Sequence, residues 1–323
     1  MKVSVIVANY NYEAYLPQAI ESLISQCCPD MEIVIVDDES IDSSREIIQQ
    51  LHKAYPDIIK YVFQKNTGHG GAIASAFAVA TGEIIAFLDS DDLWDVGRLN
   101  RVIPIFQNDP EVTGVIHKLR TIDRGGKTIN GLEDVPVIPN GNLEKLLLET
   151  GIVWYYPHTS AITVHRSVLE ELLPIDSPEW ETSPDGCILY GAGFLGKIIP
   201  IPEILGIYRH HRANTYSHEA RYNPNLELRK ETLSRVEKTV TWINSFLMQI
   251  NKPFKVAISK NLNYLREQYY LKFSFSWTDS QPISHRIMTW PFYDWNERWI
   301  FLLRFWLKNL KIILNSKKLV IDE

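Results

Sequence analysis

Between Val3 and Leu88 the chain repeats one unit: a short β-branched apolar run, a polar turn, an amphipathic stretch of helical period, then the next apolar run. The runs place strands at 3–8, 32–36, 59–64 and 84–88, and their almost unbroken apolar character suits parallel strands covered on both faces. Helices are expected in the intervals. The stretch 13–26 carries Leu16, Ile20, Leu23 and Ile24 at helical spacing, 43–55 carries Ile47, Ile48 and Leu51, and 72–80 is small and closely packable. A βαβ series of this kind implies an α/β fold, a mostly parallel sheet flanked by helices.

The strands end in polar clusters: Asn9-Tyr10-Asn11 after the first, Asp37-Asp38-Glu39-Ser40 after the second, Asp89-Ser90-Asp91-Asp92 after the fourth. In open parallel sheets the ligand crevice lies beyond the carboxyl ends of the strands, so clusters dispersed in sequence should converge on one site. Asp89 and Asp91, two residues apart, are expected on the same side of an extended chain. Carboxylates side by side suit Mg²⁺ or Mn²⁺, which keep positions open for substrate phosphates. A helix cap would explain one such residue, but three crowded carboxylates repel one another without a cation. Asp38 could accept the N–H of a pyrimidine base, although a turn and helix start at 40–44 explain its cluster equally. The segment Asn66-Thr67-Gly68-His69-Gly70-Gly71-Ala72 could bring backbone N–H groups to a phosphate. It matches neither the P-loop nor the dinucleotide fingerprint, and close packing alone would also require its glycines.

Farther along, a helix is expected at 98–107, strands at 112–117 and 161–164, helices at 143–149 and 185–194, and strands at 198–201 and 205–209. Around Asn223-Pro224-Asn225 the composition changes to long helical segments, 226–250 and 254–275. The natural division is therefore 1–222 and a helical region 223–323. A formal charge of −6, from 33 Lys+Arg against 39 Asp+Glu, gives no bulk basic field for nucleic acid. Three cysteines, Cys27, Cys28 and Cys187, make neither a disulfide framework nor a metal spacing, which points to a reducing, cytoplasmic location. No apolar stretch of about 18 residues reads as a membrane span.

In order and spacing these segments resemble the inverting glycosyltransferases of family 2, with the GT-A fold. The resemblance is carried by Val3-Ser4-Val5-Ile6-Val7-Ala8-Asn9-Tyr10-Asn11, by Glu32-Ile33-Val34-Ile35-Val36-Asp37-Asp38-Glu39-Ser40, by the glycine segment, and by Gly82-Glu83-Ile84-Ile85-Ala86-Phe87-Leu88-Asp89-Ser90-Asp91-Asp92. It is close over about residues 1–120, a donor-binding half, and weaker over an acceptor half, about 121–222. It implies a nucleotide-diphosphate sugar donor, UDP-linked, lying across the strand ends. Ala8, Asn9 and Tyr10 would line the nucleoside pocket, Asp38 would bond the base, Asp89 would face the ribose, and Ser90, Gly68 and Gly71 would complete the donor site. Asp91 would ligate Mn²⁺ or Mg²⁺ bridging the diphosphate.

An inverting transfer also needs a general base, and Ser183-Pro184-Asp185-Gly186-Cys187 matches the family's segment, with Asp185 in that role. Pro184 stands where the family usually has Glu, and Asp185 could instead be only a helix cap. Tyr208-Arg209-His210-His211-Arg212-Ala213-Asn214 resembles the segment that closes over the diphosphate, His211 contacting metal or phosphate. His158, beside Tyr155 and Tyr156, could line the acceptor side or simply pack.

From Arg298 to Lys318 there are six basic residues and no acidic one. Arg304, Lys308, Lys311 and Asn315 form one polar stripe beside Trp299, Phe301, Leu302, Phe305, Trp306, Leu310 and Ile313, a pattern that fits an interfacial helix on an anionic membrane. Packing on the catalytic domain, or on a second copy in a homo-oligomer, explains the pattern equally. The expected acceptor is a glycan or a lipid-linked sugar, the latter giving a peripheral location at the inner face of a membrane. Trp295-Asn296-Glu297-Arg298-Trp299 lacks the Gln of a processive synthase's Gln-x-x-Arg-Trp, and Asn9-Tyr10-Asn11 is not a nucleotidyltransferase's Gly-rich loop. The alternative outside catalysis is a decayed nucleotide-sugar-binding scaffold.

Overall fold

A run such as Val3-Ser4-Val5-Ile6-Val7 offers water no polar face, so it forms a strand only where both sides of a sheet are covered. β1 (Val3–Asn9) and β2 (Met31–Asp38) meet that condition: all of β2 and all of β1 except Ala8 are buried. The computed structural model describes residues 1–129, 141, 143–151, 157–175, 180, 183–211, 226–271, 276–289 and 295–319, with 277 and 311–319 described by backbone alone. β3 (Ile59–Gln64) and β4 (Ile84–Asp89) continue the parallel sheet on either side, Val3 lying opposite both Met31 and Ile84. Crossovers are α1 (Leu16–Ile24), α2 (Ser44–Ala54) and α3 (Gly68–Val79). α1 turns Leu16, Ala19, Ile20 and Leu23 inward, a single helical stripe. Each buried Leu or Ile there contributes about 1.5–3 kcal/mol over leaving it in water.

Past β4 the sheet becomes mixed. β5 (Leu93–Trp94), α4 (Arg98–Asn108), β6 (Val112–Asp123), α5 (Leu143–Thr150), β7 (Ile162–His165), α6 (Arg166–Leu172), α7 (Asp185–Leu195) and β8 (Lys197–His210) follow in the chain. The strand order is β3-β2-β1-β4-β7-β6-β8-β5, with β7 antiparallel to β4 and β6, and β8 parallel to β6. The two strands expected at 198–201 and 205–209 are one strand, β8. His117 pairs with Ile201 and Lys118 with Ile204, so the ladder skips Pro202 and Glu203; proline has no N–H to donate there. β6 runs on to Asp123, well past the expected end at 117, because β8 supplies a partner as far as His210. α3 starts at Gly68, four residues before the expected position.

Two compact units make up the chain, Met1–Glu144 with Trp154–Asn214, and Lys145–Val153 with Thr215–Glu323. In the second, α8 (Leu226–Gln249), α9 (Leu262–Leu271), α10 (Trp277–Met288) and α11 (Trp295–Leu319) follow one another. Leu262, Tyr269, Tyr270, Ile283, Ile287 and Phe305 form a core among the last three. The long helix expected at 254–275 is not formed. Val256 donates its N–H to Asn244 Oδ1 at 2.8 Å and accepts from Asn244 Nδ2 at 3.1 Å, so its backbone groups serve α8 and a new helix begins only at Leu262. Residues 272–275 lie outside the described residues.

Candidate active site

The ends of β1 and β2 are tied together before any ligand is considered. Asn9 lies opposite Asp37 in the parallel register and donates from Nδ2 to Asp37 Oδ2 at 3.1 Å and to Ser40 Oγ at 3.2 Å. Asp37 also accepts from the Ser40 N–H and from Arg45 Nε at 2.8 Å. Asp37 is therefore a structural carboxylate, and Asn9, 1% exposed, spends its amide nitrogen on the turn while its Oδ1 is buried without a partner among the described residues. Strand alternation points Asp38 to the other face, where its Oδ1 accepts from the Thr67 N–H at 2.9 Å and from Gln64 Nε2 at 2.7 Å. Asp38 thus pins the glycine segment against β2. Gly71 is there for packing, since a Cβ would stand 2.3 Å from Thr67 Oγ1, whereas Gly68 opens α3 at a φ of +76° that favours glycine. Tyr10 sits at the crest, 48% exposed, and Ala8 lies opposite Asp89 in the register.

The acidic cluster after β4 is a turn and not a continued strand. β4 ends at Asp89, and the Asp92 N–H donates to the Asp89 carbonyl at 3.0 Å, so the expected side-by-side placement of Asp89 and Asp91 on an extended chain gives way to a tighter arrangement. Ser160 clasps this turn: its hydroxyl donates to Asp92 Oδ2 at 2.6 Å and accepts from the Asp89 N–H at 3.0 Å. Burial, and then the Asp91 charge, push the Asp89 and Asp92 carboxyls well above the usual carboxylate range; Asp185 adds to the effect on Asp89. His69 Nε2 stands 3.4 Å from Asp89 Oδ1, and burial lowers its imidazole to about 4, which keeps it neutral. The Ser90 hydroxyl is buried without a partner among the described residues.

β8 brings the other half of the site. His211, one residue past its end, places Nε2 at 2.7 Å from Asp91 Oδ2, and both side chains are buried. The imidazole is stacked on Tyr15 at 5.5 Å and edged by Tyr12 at 5.6 Å. Arg209 locks the same corner, its N–H donating to Asp92 Oδ1, its Nε to the Asp91 carbonyl and its Nη2 to Gln18, with the guanidinium 5.0 Å over the Tyr15 ring. Among the described residues no three His, Cys, Asp or Glu side chains are grouped to hold a metal, so Asp91 and His211 stand as a pair.

Asp185 is the first residue of α7, one beyond Pro184 at the cap position, so it is not the N-cap that was the competing explanation. Its carboxyl is partly buried, and desolvation raises it to about 7. Its charge is felt by Asp89 and by the Cys187 thiol, which burial also pushes up. His158 is exposed and stacked on Tyr208 at 3.8 Å; Tyr155, Tyr156, Arg212, Ala213 and Asn214 lie outside the described residues.

Ser160, Tyr12, Tyr15, Gln18 and His69 were not singled out from sequence. Tyr12 and Tyr15 follow the first polar cluster within a turn, which is a usable signal, whereas Ser160 lies some seventy residues from its partners (|i−j| of 71 and 68) in an unremarkable segment.

Comparison with known proteins agrees with this geometry. The sequence profile described as "Glycosyl transferase family 2" matches residues 4–173. An uncharacterized glycosyltransferase of Nostoc sp. is 42% identical over 98% of this chain and 97% of its own length. A Bacillus spizizenii poly(ribitol-phosphate) beta-glucosyltransferase is 40% identical over 28% of this chain and 15% of its own. Among solved structures, S. aureus TarS in complex with UDP-GlcNAc superposes with a TM-score of 0.56 at 16% identity, covering 89% of this chain and 80% of that one. The Pyrobaculum calidifontis mannosyltransferase PcManGT, in complex with GDP-Man and Mn²⁺, gives 0.50 at 18% identity, covering 96% and 87%. These two likenesses speak to the fold, which is that of the GT-A glycosyltransferases.

Proposed function

The chain belongs to glycosyl transferase family 2, and on that premise we propose that it moves a sugar, with inversion, from a UDP-linked donor to an acceptor hydroxyl, with Asp185 as general base. The observation that carries the reading is the meeting of Asp91 and His211, 120 residues apart, at the crevice where β1 and β4 end. A carboxylate oxygen and an imidazole nitrogen suit Mn²⁺, and the carboxylate suits Mg²⁺; either ion leaves positions open for phosphate oxygens. The donor set fits a cation for a second reason, since Asp89 and Asp92 are pushed up partly by the Asp91 charge that a cation would offset. When bound, such an ion neutralises the charge that develops on the departing diphosphate.

The remaining work falls to the protein's own groups. Asp38 and the Ala8–Tyr10 corner receive the nucleoside, and Tyr12, Tyr15 and Arg209 hold His211 in place. Asp185 takes the proton from the attacking hydroxyl, and a carboxyl raised to about 7 is matched to that task near neutral pH. TarS binds UDP-GlcNAc and PcManGT binds GDP-Man with Mn²⁺, which supports a nucleotide-diphosphate sugar here. The test is a thermal-shift panel of UDP-, GDP- and dTDP-sugars with and without Mn²⁺. A donor at about 100 times its dissociation constant adds about 2.7 kcal/mol, and the expected result is a shift with UDP-sugars that requires Mn²⁺. No shift with any of them would overturn the proposal.

A further inference from the structure

Six large apolar side chains stand in water along one face of α11: Trp295, Trp299, Ile300, Leu303, Leu307 and Leu310, each 48–61% exposed. At 3.6 residues per turn they fall within an arc of about 140°. Phe301, Leu302 and Phe305 lie opposite and pack with Tyr269, Tyr270 and Ile283, so the helix is already anchored by its inner face. A contiguous exposed stripe of this size marks a surface that meets another phase or molecule.

We propose that this stripe seats the protein on an anionic lipid surface, with α11 lying in the interface plane. Arg304 is exposed beside Leu303 and Leu307, and Lys311 and Lys318 follow it at seven-residue intervals in the sequence. From Arg298 to Lys318 there is no acidic residue to repel lipid headgroups. Lys308 is turned back over the Tyr270 ring at 4.2 Å, and Arg304, exposed with its guanidinium 5.9 Å from the Phe301 ring, carries the charge beside the stripe among the described side chains. Trp295 and Trp299 bring indole rings suited to the headgroup level. Among the described residues no helix is long and apolar enough to cross a membrane, which leaves α11 on the surface and not through it.

The experiment is co-sedimentation of the full chain with phosphatidylcholine vesicles with and without phosphatidylglycerol, read alongside size-exclusion chromatography. Binding is expected only to the anionic vesicles, weakening as salt rises. Arg304→Gln should lower the affinity about fivefold, and Leu303→Glu with Leu307→Glu should abolish binding with the melting temperature unchanged, since both sites are exposed. Failure of the unaltered chain to sediment with anionic vesicles overturns the proposal, as does equal binding by the double variant. A dimer that the double variant disperses, without lipid binding, identifies a second copy as the occupant instead. None of these readouts depends on the transferase activity, so the two proposals fail separately.

Discussion

Replacing Asp185 by Asn should remove activity and at the same time make the protein more stable. Desolvation raises this carboxyl from 3.8 to about 7, roughly three pH units. At 1.36 kcal/mol per unit that is about 4 kcal/mol of strain above neutrality, and water reaching the partly exposed side chain reduces it to about 2 kcal/mol. The sign follows from the raised value. Below about pH 4 the carboxyl is protonated in both folded and unfolded chains, so the unaltered protein and Asp185→Asn should be equally stable. As pH climbs to about 7 the unaltered protein loses stability, and above that the difference is constant. For a unit of this size about 2 kcal/mol corresponds to about 4–8 °C in melting temperature. Scanning calorimetry of both proteins from pH 4 to 8 reads that difference directly. A donor-dependent transfer assay on the same samples should show a loss of about 10²–10⁴-fold, with the Mn²⁺-dependent thermal shift by UDP-sugar retained. In the unaltered protein kcat/KM should rise about tenfold per pH unit up to about 7 and then level. Equal melting temperatures at pH 8, or undiminished transfer by Asp185→Asn, would refute the reasoning.

Two further outcomes test other parts of the structure. Asp91→Asn should abolish the Mn²⁺-dependent thermal shift by nucleotide-diphosphate sugar while leaving the chain folded, as checked by circular dichroism; a full shift in the variant would remove Asp91 from the metal site. Glu32, buried at the foot of β2, is subject to desolvation that would raise it, yet hydrogen bonds from Ser4, Thr81 and Lys60 outweigh burial and bring it to about 2. Its contribution is present in full above about pH 4.5 and is lost as pH falls through about 2, so Glu32→Gln should cost about 3 kcal/mol at pH 7 and only a small part of that at pH 2, measurable by urea denaturation.

Local pattern alone determined the first half of this protein. Strands buried on both faces must be apolar throughout, and strands that end at a ligand crevice must turn polar there, so β1 to β4, their crossovers and the residues Asn9, Asp38, Asp89 and Asp91 are all written in a short window. The amphipathic character of 298–318 was legible for the same reason. Tertiary structure decided what no window contains. That the Asn9 amide nitrogen and one Asp38 carboxylate oxygen are taken up by neighbouring turns follows from partners roughly thirty residues away (|i−j| of 28 and 29). Ser160 joins Asp89 and Asp92 only because β7 returns antiparallel beside β4, and His211 reaches Asp91 only because β8 runs on past the skipped Pro202. Which face of α11 is covered depends on Tyr269, Tyr270 and Ile283, residues of other helices, so the sequence could state the amphipathic pattern but not which apolar side chains remain in water. Periodicity records what each element prefers to bury; the partner it meets is a property of long-range closure, which leaves little trace in any short stretch of chain.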